Sequence, residues 1–440
     1  MLKKSVTIVI DFKIYFYLFE PIIRHLISQN VQIFIVAPKS LRTDIKLTFL
    51  SERIKFINYE ELKRRHKLRF IVHRICTILF TRNDFSYQFY KKRNQITKKA
   101  TTVHSFLYKL SVFIPKVPNS RINEFLSFVS GLWFENPFPT REVMVGSLNA
   151  SPELLVAKGQ TVTTVMESWD HAVKAPSGYK SDLFLGWNES LCEDWRCFQG
   201  DQNCRIFHPL KLRYAHEIYK GLPNKSKTVS NRRIKVLYPI AGTKKFSIDI
   251  LVQIERMIIQ ELIHLTELLD WDLCLKPRPN GLVGEFDYAK DFSHVSVGDV
   301  SHGSIVNPAD YFFSDQENFD RFSILNDIDI VINAFTTFGL DSAVAGLPVL
   351  QLDLRYALGF ESSSLIYNNY HIEKYLINKK NVIKPIGVTL LSYISDSKLD
   401  LFSMASDYSR ELCEWLYLYP SSSDAINECI NSVSFKETKR

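Results

Sequence analysis

At 440 residues the chain is too long for one ordinary hydrophobic core, so two domains are expected. Its 46% hydrophobic and 23% charged residues are those of a soluble globular protein, and no uncharged run of about 18 residues offers a membrane-spanning helix. Seven cysteines, an odd number with no C-x-x-C pair, read as reduced thiols in a cytoplasmic protein rather than as a disulfide framework.

The first residues, MLKKSVTIVIDFK, are basic but carry too short an apolar run for a signal peptide. The pattern predicts a strand over Val6–Ile10, an amphipathic helix over Tyr15–Ser28 and a second strand over Val31–Ala37, closed by Pro38. This is a parallel β-α-β opening. It has no G-x-G-x-x-G, and the turn after its first strand carries Asp11 instead.

From about residue 60 to 139 the sequence is helical or irregular, basic and aromatic, and reads as an insertion in the first domain. Two basic runs fall here, Lys63 to Arg69 and Lys91 to Lys99, among residues such as Phe70, Ile71, Ile75 and Phe80. No helix-turn-helix, RNP-type or zinc-finger pattern accompanies them, so nucleic acid is not an expected partner. An anionic membrane surface and a plain solvated face both fit such runs.

Alternation resumes with a strand at Glu142–Gly146 and a helix start at Ser151-Pro152-Glu153, with Pro at the first helical position. A strand over Gln160–Met166 leads into Glu167-Ser168-Trp169-Asp170-His171. A strand over Asp182–Trp187, a helix through Phe198 and a strand near Arg205–Phe207 complete a Rossmann-like layer. His208-Pro209 beyond it reads as a hinge or packing element.

A polar, basic linker covers about residues 221–233, and a second alternation follows. A strand over Ile234–Pro239, a turn carrying Lys244 and Lys245, a long helix over Ile248–Leu269 and a strand over Trp271–Leu275 open it. That strand runs into Lys276-Pro277-Arg278-Pro279-Asn280. Next, Ile328–Ala334 reads as a buried strand, Leu340–Ala345 as a short helix stopped by Gly346, and Pro348–Leu352 as another strand. Long helices are expected over Lys398–Leu418 and Ser423–Val433.

The turn joining the Ile328 strand to its helix carries Thr336 and Thr337 at a strand's carboxyl end, where open α/β sheets bind ligands. Two readings follow. The hydroxyls and the helix start hold an anion such as a diphosphate, or one threonine simply caps the helix.

The segment Asp327 to Asp353 resembles the donor-binding segment of GT-B glycosyltransferases. The resemblance rests on an acidic strand, the Thr336-Thr337 turn, Asp341 and Gly346-Leu347-Pro348-Val349. It implies an α/β GT-B fold, two Rossmann-like domains facing each other across a cleft. The first would span residues 1–220 on the acceptor side and the second 234–418 on the donor side. Residues 419–440 would form a helix that could cross back to the first domain. By the same resemblance Asp341 contacts ribose or sugar hydroxyls. Related proteins often place a His-Pro after a basic residue; here Lys276 is that basic residue and Arg278 takes the His position. Arg keeps its charge and can clamp a phosphate, so its role would be electrostatic. Lys244 could face the same phosphates, with a surface lysine as the equal alternative.

The Ser168-Trp169-Asp170 turn resembles one in bacterial GT-B proteins that build surface polysaccharides. That puts Ser168, Trp169 and Lys174 on the acceptor side. Asp170, His171 and Asp11 are the candidate catalytic bases, Asp170 foremost. A buried Trp with Asp170 capping a turn is the even alternative. The implied activity is sugar transfer from a nucleotide-activated donor to a growing bacterial surface glycan or lipid-linked acceptor. The resemblance implies no metal and no cofactor beyond the donor itself, and a place in the cytoplasm or at the inner face of the membrane. A CDP-glycerol-type polyol-phosphate transferase, a sugar-nucleotide 2-epimerase of the same fold and a non-enzymatic binding module are the other readings.

Overall fold

The computed structural model describes residues 5–10, 16–49, 51–80, 102–111, 113–117, 121–122, 124–128, 135–146, 152–155, 157, 159–168, 180–199, 203–207, 209–215, 232–240, 248–277, 286–298, 322–334, 336–353, 373–384 and 400–416. They divide into two compact units, the first within Met1–Lys211 and the second within Leu212–Pro308 and Phe313–Pro420.

Short apolar runs become strands of parallel sheets because both of their faces are covered. In the first unit these are β1 (Ser5–Val9), β2 (Gln32–Ala37) and β3 (Ile54–Asn58), followed by β4 (Glu142–Gly146), β5 (Thr161–Val165), β6 (Leu183–Gly186) and β7 (Cys204–Ile206). They form one seven-stranded sheet in the order β3-β2-β1-β4-β5-β6-β7, with every pair parallel. Its helices are α1 (Phe16–Ser28), α2 (Arg42–Thr48), α3 (Tyr59–Arg65), α4 (Lys67–Phe80), α5 (Thr102–Ser111), the single turn α6 (Pro152–Leu155) and α7 (Glu189–Gln199). The amphipathic α1 buries Phe16, Phe19, Ile23 and Leu26. On α7, Trp195 stacks flat on Phe184 of β6, with ring centroids 4.1 Å apart. The side chain of Asn58 starts α3 by accepting from the backbone N–H groups of Glu60 and Glu61.

The second unit repeats the plan with β8 (Lys235–Pro239), α8 (Ile248–Leu268), β9 (Asp272–Lys276), β10 (Val295–Val297), β11 (Ile330–Asn333), α9 (Phe338–Val344), β12 (Val349–Leu352), β13 (Val382–Ile383) and α10 (Leu401–Leu416). Its sheet order is β10-β9-β8-β11-β12-β13, again wholly parallel. Gly346 turns the chain out of α9 with φ of 81°, a conformation open to glycine at little cost.

In each unit the chain adds strands outward on one side, then returns to add the rest on the other. The order therefore reverses between β1 and β4 in the first sheet and between β8 and β11 in the second. Such reversals open a crevice at the carboxyl ends of the strands. The pattern did not foresee β3, β10 or β13. β3 is an edge strand whose second residue, Lys55, is exposed, and the other two have three and two residues. No periodicity can be read from runs so short. The expected helix over Ser423–Val433 and most of the expected linker lie outside the described residues.

Candidate functional site

The Thr336-Thr337 turn leaves β11 at the reversal of the second sheet. Its shape is set from beneath by Asn333, the last residue of β11 and fully buried. The backbone N–H of Thr336 (3.3 Å) and its Oγ1 hydroxyl (2.7 Å) both donate to Asn333 Oδ1. Asn333 Nδ2 in turn donates to Gln351 Oε1 at 2.7 Å. The two amides meet because Asn333 and Gln351 are register partners on β11 and β12. Gln351 Nε2 donates to the carbonyls of Ala334 and Leu352, and Tyr408 Oη on α10 lies 3.5 Å from Gln351 Oε1 while donating to Leu376 O at 3.0 Å. A buried polar network with its donors and acceptors matched holds one geometry firmly. Burial pushes the Tyr408 phenol well above its ordinary range, so it stays protonated and able to donate.

α9 lies close over this network. A Cβ on Gly339 would sit 2.6 Å from Asn333 Nδ2 and 3.0 Å from its Cβ, so only glycine lets the helix approach so near. Thr337 occupies the N-cap position, but its side chain makes no capping hydrogen bond. Thr336 spends its hydroxyl on Asn333. Helix capping, one of the two readings of this turn, is therefore not what either threonine does. Asp341, on the first turn of α9, is buried.

Lys276, the last residue of β9, reaches the same place. Its Nζ lies 5.2 Å from the ring centroid of Phe338, the first residue of α9. Phe338 stacks on Phe322, and Phe322 on Tyr214, with centroids 5.9 and 6.3 Å apart. Arg213 closes the far end of this buried column over the Tyr214 ring at 4.6 Å. The fold thus brings Lys276 to Phe338, the residue that follows Thr337 and opens the helix carrying Asp341. Asp329 lies at the opposite, entering end of β11, where it accepts from Arg232 Nη2 at 2.7 Å and from the backbone N–H of Lys235 at 2.9 Å.

In the first unit, Ser168 is half-buried, three residues past the end of β5. Beside it, Glu167 is 2% exposed and lies over Gly146 at the end of β4, where a Cβ would fall 1.8 Å from Glu167 Oε1. Glu167 belongs to no sequence motif; a carboxylate beside a strand-end glycine is visible only once β4 and β5 pair. The one sequence signal of Asn333 and Gln351 is a polar residue inside each apolar run. Asp11, Trp169, Asp170, His171, Lys174, His208, Lys244 and Arg278 lie outside the described residues.

Two doubly wound parallel sheets, one in each unit, make the fold α/β, with two Rossmann-like domains. No family model and no curated protein matches the sequence. Among solved structures, the UDP-GlcNAc 2-epimerase from Methanocaldococcus jannaschii is similar at 10% identity and a TM-score of 0.45, covering 94% of this chain and 100% of its own. MurG from Acinetobacter baumannii is similar at 8% identity and 0.44, covering 98% and 99%. The wall teichoic acid polymerase TagF is similar at 10% identity and 0.43, covering 98% and 89%. Likeness at this level leaves the function to be argued from the site itself.

Proposed function

We propose that this chain is a glycosyltransferase that moves a sugar from a nucleotide-activated donor to a growing bacterial surface glycan or lipid-linked acceptor. The observation that carries the reading is the Thr336-Thr337 turn. It sits at a sheet reversal, is held by a buried amide network, keeps the Thr337 hydroxyl out of helix capping, and has the Lys276 ammonium over the ring of the next residue, Phe338.

On this reading the turn takes the donor diphosphate. Thr336, with both of its donors on Asn333, sets the shape of the turn, and Thr337 donates to a phosphate oxygen. Lys276, with Arg278 and Lys244, supplies the positive charge that offsets the leaving phosphate. Asp341 serves the ribose or sugar hydroxyls. In the first unit, Asp170 takes the proton of the acceptor hydroxyl, with His171 and Asp11 as the other candidate bases, and Ser168, Trp169 and Lys174 on the acceptor side. The donor is a co-substrate; the reading needs neither a metal nor a bound cofactor and places the reaction in the cytoplasm.

The test is a thermal-shift screen of the purified chain against UDP, GDP, CDP, CMP and their sugar or glycerol conjugates. A ligand that binds only the folded state raises the melting temperature by mass action, about 2.7 kcal/mol at a hundred times its Kd. One nucleotide should stabilise the wild type, and Thr337→Val should lose that gain while melting normally without ligand. Stabilisation by CDP-glycerol alone would move the chain to the polyol-phosphate transferases. With no stabilisation by any nucleotide, the donor reading of the turn fails.

A further inference from the structure

The helical segment between β3 and β4 has one packed side and one bare side. On the packed side Ile122 and Leu126 are buried against Val72, Cys76 and Val117. Lys116 Nζ ties the ends of α4 and α5 together, donating to the carbonyls of Leu79 at 3.1 Å and Ser111 at 2.6 Å. Val117 N–H adds a bond of 2.8 Å to Phe80 O.

Other apolar side chains of these helices are exposed. Leu68, Ile71 and Ile75 recur at i, i+3 and i+7 on α4, which puts them on one face, and all three are open to solvent. Phe106 and Leu110 repeat this one turn apart on α5, and Phe113 just beyond is 84% exposed. Phe125 and Phe128 flank the buried Leu126 and point the other way, 58% and 65% exposed. With Phe80, nine of the fourteen exposed large apolar side chains among the described residues fall between positions 68 and 128. Scattered exposed apolar residues are ordinary; such a concentration marks a surface that something covers.

Charge says what covers it. Residues 59–128 hold fifteen Lys and Arg against four Asp and Glu, a net of +11 in a chain whose total is +8, so the remaining residues are net −3. Arg64, Lys67, Lys109 and Arg121, next in sequence to the apolar faces, are exposed. Apolar side chains edged by cations match the boundary of an anionic bilayer, where aromatic and aliphatic groups enter the acyl region and cations meet lipid phosphates. A phosphate backbone alone would leave nine apolar side chains without a partner.

We infer that this face docks on an anionic phospholipid surface. Among the described residues no helix is long and apolar enough to cross a membrane; the contact proposed is interfacial. It goes beyond the donor reading and does not depend on it.

Flotation tests it. The purified full chain is mixed with vesicles of phosphatidylglycerol and phosphatidylcholine, or of phosphatidylcholine alone, and spun through a density gradient. The wild type should float with the anionic vesicles, less so as salt is raised, and stay behind with the neutral ones. Arg64→Glu with Lys67→Glu, and separately Phe106→Ser with Phe113→Ser, should each cut partitioning by more than about tenfold. These four side chains are exposed, so both double variants should melt like the wild type. Wild-type chain that ignores anionic vesicles overturns the proposal, as do double variants that float normally. So does a patch that instead pairs two copies, shown by a dimer that Phe106→Ser with Phe113→Ser makes monomeric while vesicles capture nothing. If a variant fails to fold, the two vesicle types and the salt series decide on the wild type alone. The nucleotide screen needs no vesicles, so a failed donor reading and a failed docking surface are told apart.

Discussion

Asn333 does more for the Thr336-Thr337 turn than either threonine does for itself. Its Oδ1 takes both donors of Thr336, its Nδ2 engages Gln351, and its side chain fills the space that Gly339 leaves open. Gly339→Ala would drive a methyl into a short, buried side chain that is hydrogen-bonded at both of its ends. It should cost about 1–3 kcal/mol in urea unfolding and weaken any nucleotide stabilisation along with it. Unchanged stability would show that α9 can move aside, and the turn would then not be held as described. A second residue-scale pair is Cys192 and Cys204. Hydrogen bonding between the thiols, aided by the Arg196 charge, lowers the Cys204 pKa, while the same bond and burial push Cys192 well up. A lowered pKa means more thiolate at a given pH, so iodoacetamide near pH 7.5 should label Cys204 well before Cys192. Peptide mapping by mass spectrometry reads the order; Cys192 labelled first would contradict it.

At the scale of elements, α10 fixes the strand that carries Gln351. Ser409 Oγ accepts from the Val349 N–H at 2.9 Å and donates to Leu347 O at 2.8 Å, satisfying both backbone groups at the start of β12. Ser409→Ala leaves a buried donor and a buried acceptor unpaired, and should lower stability by about 1–3 kcal/mol in denaturant titration. An effect within a few tenths would mean that water takes the hydroxyl's place. The sequence could place these two elements but not this clamp, since 60 residues separate Ser409 from Val349. Element positions were legible where apolar runs were four residues or longer. α9 begins at Phe338, two residues before the expected start, because buried Phe338 and Gly339 pack against their neighbours rather than ending the turn.

At the scale of the molecule, each unit has its own core. Trp187 and Trp195 are among the fully buried side chains of the first, and Tyr238, Leu262 and Tyr408 of the second. Calorimetry should therefore show unfolding that is not two-state, with a calorimetric enthalpy above the van't Hoff value. Trp195→Ala and Leu262→Ala, each costing about 2–5 kcal/mol, should lower different parts of the trace. A single two-state transition moved as a whole by both variants would refute two separate cores.

The class of fold is legible in the residues alone, because strands buried on both faces must be written as continuous apolar runs, and helices between them as amphipathic ones. The sequence also locates the Thr336-Thr337 turn, Asp341 and Lys276 as the ends of particular strands and helices. Tertiary structure decided what those residues touch. Lys276 meets Phe338 only because β8 lies between β9 and β11, and Asn333 meets Gln351 only because two strands align residue by residue. Glu167 covers Gly146 for the same reason, at the paired ends of β4 and β5. Register and strand order arise from pairing across distance in the chain, and local pattern carries no record of them.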